Sequence, residues 1–215
     1  MQDARLRFNK LGAVKYISHL DMYRCFTRAF RRAGIPVWVT EGFNPRVYLN
    51  FALPRPLGAE SVDDILDTRF TADVSADDLL RLDLYELPEG LWISALEEPA
   101  FKTKDIVSAS WDITLPADYP VSAASERLET GGLTFEKEGK KGKKPVKKTV
   151  DLSASIYSWN IDTSSEKSLL SVNVGAGNEN NINPFRLFEA LSSAVGYEGL
   201  PVNVRRTGIF TDIHR

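Results

Sequence analysis

The chain has 215 residues, 43% of them hydrophobic and 10% aromatic, with a formal net charge of −2. That is enough apolar material for one large domain or two halves of about 100 residues sharing a core, and it excludes a wholly disordered chain. A single cysteine, Cys25, and two histidines, His19 and His214, exclude an internal disulfide, a cysteine-held zinc or iron–sulfur centre and a histidine-rich metal site.

No cofactor or metal is therefore expected. The chain has no run of about 20 apolar residues and no charged-then-apolar leader, which reads as a cytoplasmic protein without membrane association. Charge is uneven along it. Residues 1–60 carry ten Lys/Arg against four acids, and residues 61–100 carry eleven acids against Arg69 and Arg81. The asymmetry predicts one positive and one negative face.

In chain order, residues 4–8 alternate apolar and basic, the pattern of a half-buried strand. Ser18 with Asp21 marks a capped helix start. Leu20, Tyr23, Phe26, Phe30 and Ala33 then form an apolar stripe that Gly34 and Pro36 end. Residues 37–39 and 47–53 read as strands joined by Glu41-Gly-Phe-Asn-Pro45, and another strand is expected near 64–70. Ser75 with Asp78 opens a second helix through Leu79, Leu80 and Leu82, and 90–97 closes the half as a strand.

The second half repeats the order more loosely, with a strand at 108–115, a helix at 121–129 and strands near 133–137, 149–161 and 168–174. A helix over 184–195 follows, capped by Asn183 with Pro184 in its first turn, and a last strand lies at 202–206. The class is α+β: two ferredoxin-like (βαββαβ-type) halves with antiparallel sheets, 1–103 and 104–215. Seven lysines between 137 and 148, with Gly139 and Gly142 among them, form a basic hairpin tip.

Arg24, Arg28, Arg31 and Arg32 recur at spacings that place at least three on one helical face away from the aromatic stripe. Guanidinium forks on a rigid rod suit a phosphate backbone. Arg5, Arg7 and Arg46 are expected to enlarge that region, with Lys15 alongside. An ordinary solvated helix face explains the same pattern equally well. His19, in the first turn beside Ser18 and Asp21, has the chemistry of a general acid or base, or of a helix-start contact; Lys15 and Tyr16 precede it. Glu41, Asn44 and Arg46 lie on a stiff turn that presents them to a ligand or merely connects two strands. Gly175-Ala-Gly-Asn178 precedes a helix at a spacing that fits no phosphate loop, and no nucleophile or zinc-protease motif occurs.

Lys15-Tyr-Ile-Ser-His-Leu-Asp21, Arg28-Ala-Phe-Arg-Arg-Ala-Gly-Ile-Pro36, Glu41-Gly-Phe-Asn-Pro45 and Phe51-Ala-Leu-Pro-Arg-Pro-Leu-Gly58 resemble the radical SAM-linked protein family, a bacterial domain of unknown function fused to or encoded beside radical SAM proteins. The resemblance implies a radical SAM partner and no activity of the chain's own; such an enzyme needs three cysteines for its cluster. A fainter resemblance is to the repeat-processing RNA endonucleases of CRISPR systems, with His19 at the histidine position. Asn203-Val-Arg-Arg-Thr-Gly208 fits their C-terminal glycine-rich loop poorly.

Three functions stay open at this point. The first is a non-catalytic accessory protein that binds RNA or presents substrate to a radical SAM enzyme, with Arg24, Arg28, Arg31, Arg46 and Lys15 on the RNA. The second is a metal-independent endoribonuclease using His19. The third is a protein–protein module whose charges only steer docking.

Overall fold

The computed structural model describes residues 1–141, 144–177 and 180–212, without the side chains of residues 80, 83–85, 137–141 and 144–148. Contacts divide the chain into two units, Met1–Asp105 with Arg206–Ile209, and Ile106–Arg205 with Phe210–Arg215. Arg206–Ile209 thus counts with the first unit, whereas the sequence reading assigns all of 104–215 to the second half.

In the first unit, β1 (Gln2–Lys10), α1 (His19–Ala33), β2 (Leu49–Phe51), β3 (Glu60–Phe70), α2 (Ala76–Tyr85) and β4 (Leu91–Glu97) follow in order. The strands lie β4-β1-β3 with β2 on β3, and β1 is antiparallel to both β3 and β4. This is the ferredoxin-like order. Ala4, Leu6 and Phe8 point from β1 into the core that Met22, Phe26, Ala29 and Phe30 of α1 cover. Each of the larger ones, Leu6, Phe8, Met22, Phe26 and Phe30, contributes about 1.5–3 kcal/mol on burial.

Ser18 accepts the Asp21 N–H as cap, and Gly34 ends α1 in the left-handed conformation with φ 69°. The buried stripe is centred on Met22, Phe26, Ala29 and Phe30. Leu20, expected within it, is 56% exposed, because it falls on the opposite side of the helix, near Arg31. Ser75 and Asp78 form a reciprocal capping box that opens α2. The expected strands at 37–39 and 47–53 shrink to isolated bridges, Val37 to Phe70 and Val39 to Val47, and to the three residues of β2.

The second unit contains β5 (Ser108–Thr114), α3 (Val121–Thr130), β6 (Thr134–Lys141), β7 (Lys144–Asp151), β8 (Ile156–Asp162), β9 (Leu169–Gly175), α4 (Pro184–Ala194) and β10 (Asn203–Phe210), whose middle belongs to the first unit. Its order, β10-β5-β9-β8, repeats that of the first unit, and the β6-β7 hairpin is an addition after α3. The strand expected over 149–161 is two strands, since the short helical turn Ser153–Ser155 breaks it. Trp111, Ile113, Val172, Val174, Leu187, Phe188 and Leu191 fill this core. The lysine side chains of 137–148 and His214 lie outside the described residues. Among those described, no helix is long and apolar enough to cross a membrane.

Candidate functional site

The first unit offers two features. One is the solvent face of α1. Arg24, Arg28, Arg31 and Arg32 are all exposed there. Arg24 pairs with Asp21 at 3.0 Å and Arg32 with Glu86 at 3.5 Å, both loose surface contacts of small energetic weight. Among the described residues Arg28, Arg31 and Arg46 have no carboxylate within ion-pair distance. Hydrogen bonds from Ser18 and Arg24 hold the Asp21 carboxyl below its usual range, and the nearby charge of Arg28 adds to this.

Arg5 and Arg7 do not join this face. Arg5 is fully buried, donates through Nε to Asp67 at 2.7 Å and through Nη2 to the Phe101 carbonyl at 2.8 Å, and lies over the Phe101 ring. Arg7 bridges Asp63 and Glu97. Three acids of 61–100, Asp63, Asp67 and Glu97, thus hold the early arginines Arg5 and Arg7. Antiparallel pairing of β1 with β3 sets Arg5 directly opposite Asp67.

The loop at 41–46 is closed by two hydrogen bonds, Thr40 N–H to the Arg46 carbonyl at 2.8 Å and Arg46 N–H to Thr40 Oγ1 at 3.1 Å. Gly42 turns it with φ 122°. Glu41, Asn44 and Arg46 are exposed on it, and so is the whole ring of Phe43. Sequence reading passed over Phe43; an aromatic inside a Gly-Phe-Asn-Pro turn was the available signal.

The second feature is a pocket of about 170 Å³ at the start of α1. It is lined by Ile17, Ser18, His19 and Met22, by Phe51 and the run Leu53–Leu57, and by Phe8, Lys10, Asp64, Ile65 and Arg206. Two of the four motif runs that carry the family resemblance thus meet in one cavity. His19 sits at its edge, exposed, with its ring 5.1 Å from that of Phe51. Tyr16 is exposed nearby in sequence, and the Lys15 ammonium lies 5.6 Å from its ring.

Four chemistry-bearing side chains here were not singled out in the sequence: Lys10, Arg55, Asp64 and Arg206. Asp64 is almost fully buried. Its Oδ2 accepts from Arg55 Nη1 and, at 2.8 Å, from Ser61 Oγ; its Oδ1 accepts from Arg206 Nη2 and, at 3.0 Å, from Arg206 Nε. Arg206 Nη2 also donates to the Leu53 carbonyl at 2.8 Å. Lys10 donates to the Ile17 carbonyl at 2.7 Å and the Lys15 carbonyl at 3.4 Å. Burial first, then the Arg55 charge, pushes its ammonium down to about 7, with Asp64 opposing. Burial likewise lowers Arg55.

The other sequence candidates resolve structurally. A Cβ on Gly177 would lie 2.2 Å from the Ile106 carbonyl oxygen, so that glycine serves backbone packing; Asn178 lies outside the described residues. Asn203–Gly208 stands in strand β10, not in a glycine-rich loop. Among the described residues no set of three His, Cys, Asp or Glu side chains gathers to hold a metal.

The model of a family described as "Uncharacterized protein conserved in bacteria (DUF2344)" matches residues 4–184, more than four-fifths of the chain. The chain belongs to that family. No curated protein matches this DUF2344 member. Its fold is similar to a chain in the crystal structure of a Cbf5–Nop10–Gar1 complex, with a TM-score of 0.52 and 9% identity over 96% of this chain and 48% of that one. The DUF2344 chain thus spans about half the length of the chain it matches, and the likeness bears on the fold alone.

Proposed function

We propose that this chain is a non-catalytic accessory protein that binds RNA through the arginine face of α1 and serves a radical SAM partner enzyme. The observation that carries the RNA reading is the pair Arg28 and Arg31, exposed side by side on one helix with no carboxylate partner among the described residues. Unpaired guanidinium groups on a rigid element supply sequence-blind phosphate contacts. Arg46 and the bare ring of Phe43 add a cation and a stacking surface on a closed loop, the combination that single-stranded nucleic acid uses. The radical SAM partner rests on the resemblance of the motif runs, and the lone Cys25 means that any cluster would belong to the partner.

Filter binding of the purified chain to total RNA at about 50 and 200 mM salt tests the reading. Affinity that drops steeply with salt supports it; affinity that is absent or indifferent to salt overturns it. A second reading, a metal-independent endoribonuclease, is favoured by one observation: His19 is exposed at the edge of a pocket that holds Lys10. Labelled structured RNA incubated in chelator, beside a His19→Ala control, separates the two. Equal cutting by the control removes the nuclease. Capture of a radical SAM protein that survives nuclease treatment, without RNA affinity, points instead to a docking module.

A further inference from the structure

The lining of the pocket at the start of α1 carries more basic than acidic side chains. It holds three basic side chains, Lys10, Arg55 and Arg206, and one acid, Asp64. Asp64 has no capacity left: a carboxylate offers about four lone-pair sites, and two hydrogen bonds fall on each oxygen. Glu60, the other buried acid nearby on β3, accepts the Gly12 N–H and is not part of the lining.

Two of the cations have donors to spare. The Arg55 side chain is 9% exposed; among the described residues its one hydrogen bond runs from Nη1 to Asp64, and its buried Nε has no partner. Lys10 spends two of its three N–H groups on carbonyls and, among the described residues, has no carboxylate within ion-pair distance. Burying such donors without an anion is costly. The first turn of α1, with Ser18, His19 and Met22 in the lining, adds the positive end of the helix dipole. The rest of the wall is apolar: Phe8, Phe51, Leu53, Pro54, Pro56 and Leu57.

We infer that this pocket binds a small-molecule oxyanion, a carboxylate or phosphate carried on a compact apolar body, with Lys10 and Arg55 holding the anionic head. Size sets the upper limit. About 150 Å³ suffices for a benzene ring, so a cavity of about 170 Å³ takes one ring with its head group at the wall and leaves anything larger outside, past His19 and Leu57. Leu57 is 61% exposed, as suits a residue at the opening. The site is separate from the arginine face, and its occupancy does not depend on RNA.

Charge on Lys10 makes binding pH-dependent. Arg55 and Asp64 act on it directly, Arg206 and His19 line the same pocket, and Lys15 and Glu60 flank it in the chain segments it touches. A Lys10 that titrates at about 7 is protonated in about nine molecules of ten at pH 6 and one of ten at pH 8, so affinity for a permanently ionised acid falls up to about tenfold across that range.

Titration calorimetry on the full chain tests this with benzoate, phenyl phosphate and, as the neutral ring, benzyl alcohol. Saturable binding of benzoate or phenyl phosphate, with no heat from benzyl alcohol, is expected, and the tighter of the two names the head group. Benzoate affinity should weaken from pH 6 to pH 8 in the protein and in His19→Gln alike, and the response should vanish in Lys10→Met. Arg55→Gln should lose the binding. Benzyl alcohol binding as tightly as benzoate, or neither anion binding the wild-type protein at pH 6, overturns the inference without reference to any variant's folding and without bearing on RNA affinity.

Discussion

Asp64 and Arg206 form a buried ion pair between positions 142 residues apart, with side chains 2% and 1% exposed. The pair fastens the Arg206–Ile209 segment into the first unit, and Arg55 completes it from the Leu53–Leu57 run. Removing one member of a buried, hydrogen-bonded ion set leaves uncompensated charge and costs about 3–5 kcal/mol. Asp64→Asn should lose that much in urea denaturation, against about 1 kcal/mol for Ser61→Ala, which deletes only a neutral donor to the same carboxylate. A loss in Asp64→Asn no larger than that of Ser61→Ala would show that the carboxylate does not hold the two guanidinium groups.

Lys10 gives stability a pH dependence of defined sign. Folding lowers its ammonium from the ordinary 10.5 to about 7. Between those values the unfolded chain holds a proton that the folded chain has given up, so stability rises with pH over that window; below about 7 both states are charged and the full penalty remains. Lys10→Met should remove that rise, seen as a flatter plot of unfolding free energy from pH 7 to 10. An unchanged slope would place the titration elsewhere.

The elements were legible because their signals are local. Ser18 with Asp21, Ser75 with Asp78, and Asn183 before Pro184 each announce a helix start by chemistry within three residues. The arginines were misread where their partners are distant: Arg5 meets Asp67 through strand pairing 62 positions away. A run of +6 followed by one of −9 looks like two faces on paper, whereas an antiparallel sheet lays one run beside the other. The pocket was half visible. Ser18 and His19 stood out as motif residues, but Lys10 lay beyond the strand expected at 4–8 and counted only as one basic residue among ten, and Asp64 and Arg206 carry no local mark of a site.

Gly90 is a backbone necessity of a kind that only the fold discloses. Its N-terminal approach to β4 brings its carbonyl to the Leu11 N–H at 2.8 Å, and a Cβ there would lie 2.3 Å from the Leu11 carbonyl oxygen at φ +87°. Gly34 shares the positive φ, at +69°, but has open space around it. Gly34→Ala should cost about 1–2 kcal/mol from conformation alone. Gly90→Ala should cost clearly more, because backbone must also move; equal losses by thermal denaturation would refute the clash.

Binding and stability should separate cleanly among the arginines. Arg28 and Arg31 are exposed and, among the described residues, without a carboxylate partner, so Arg28→Glu with Arg31→Glu should leave the melting temperature almost unchanged. The same double variant should weaken RNA binding and reduce the slope of log affinity against log salt by about 0.7 for each lost single-strand phosphate contact, about 1.4 in all. Arg5→Gln should do the reverse, because its guanidinium is bonded to Asp67 and Phe101 inside the first unit. It should lower stability and leave the salt slope of whatever folds intact. If the double variant keeps the wild-type slope, the helix face is an ordinary solvated surface, and the RNA reading loses its physical basis.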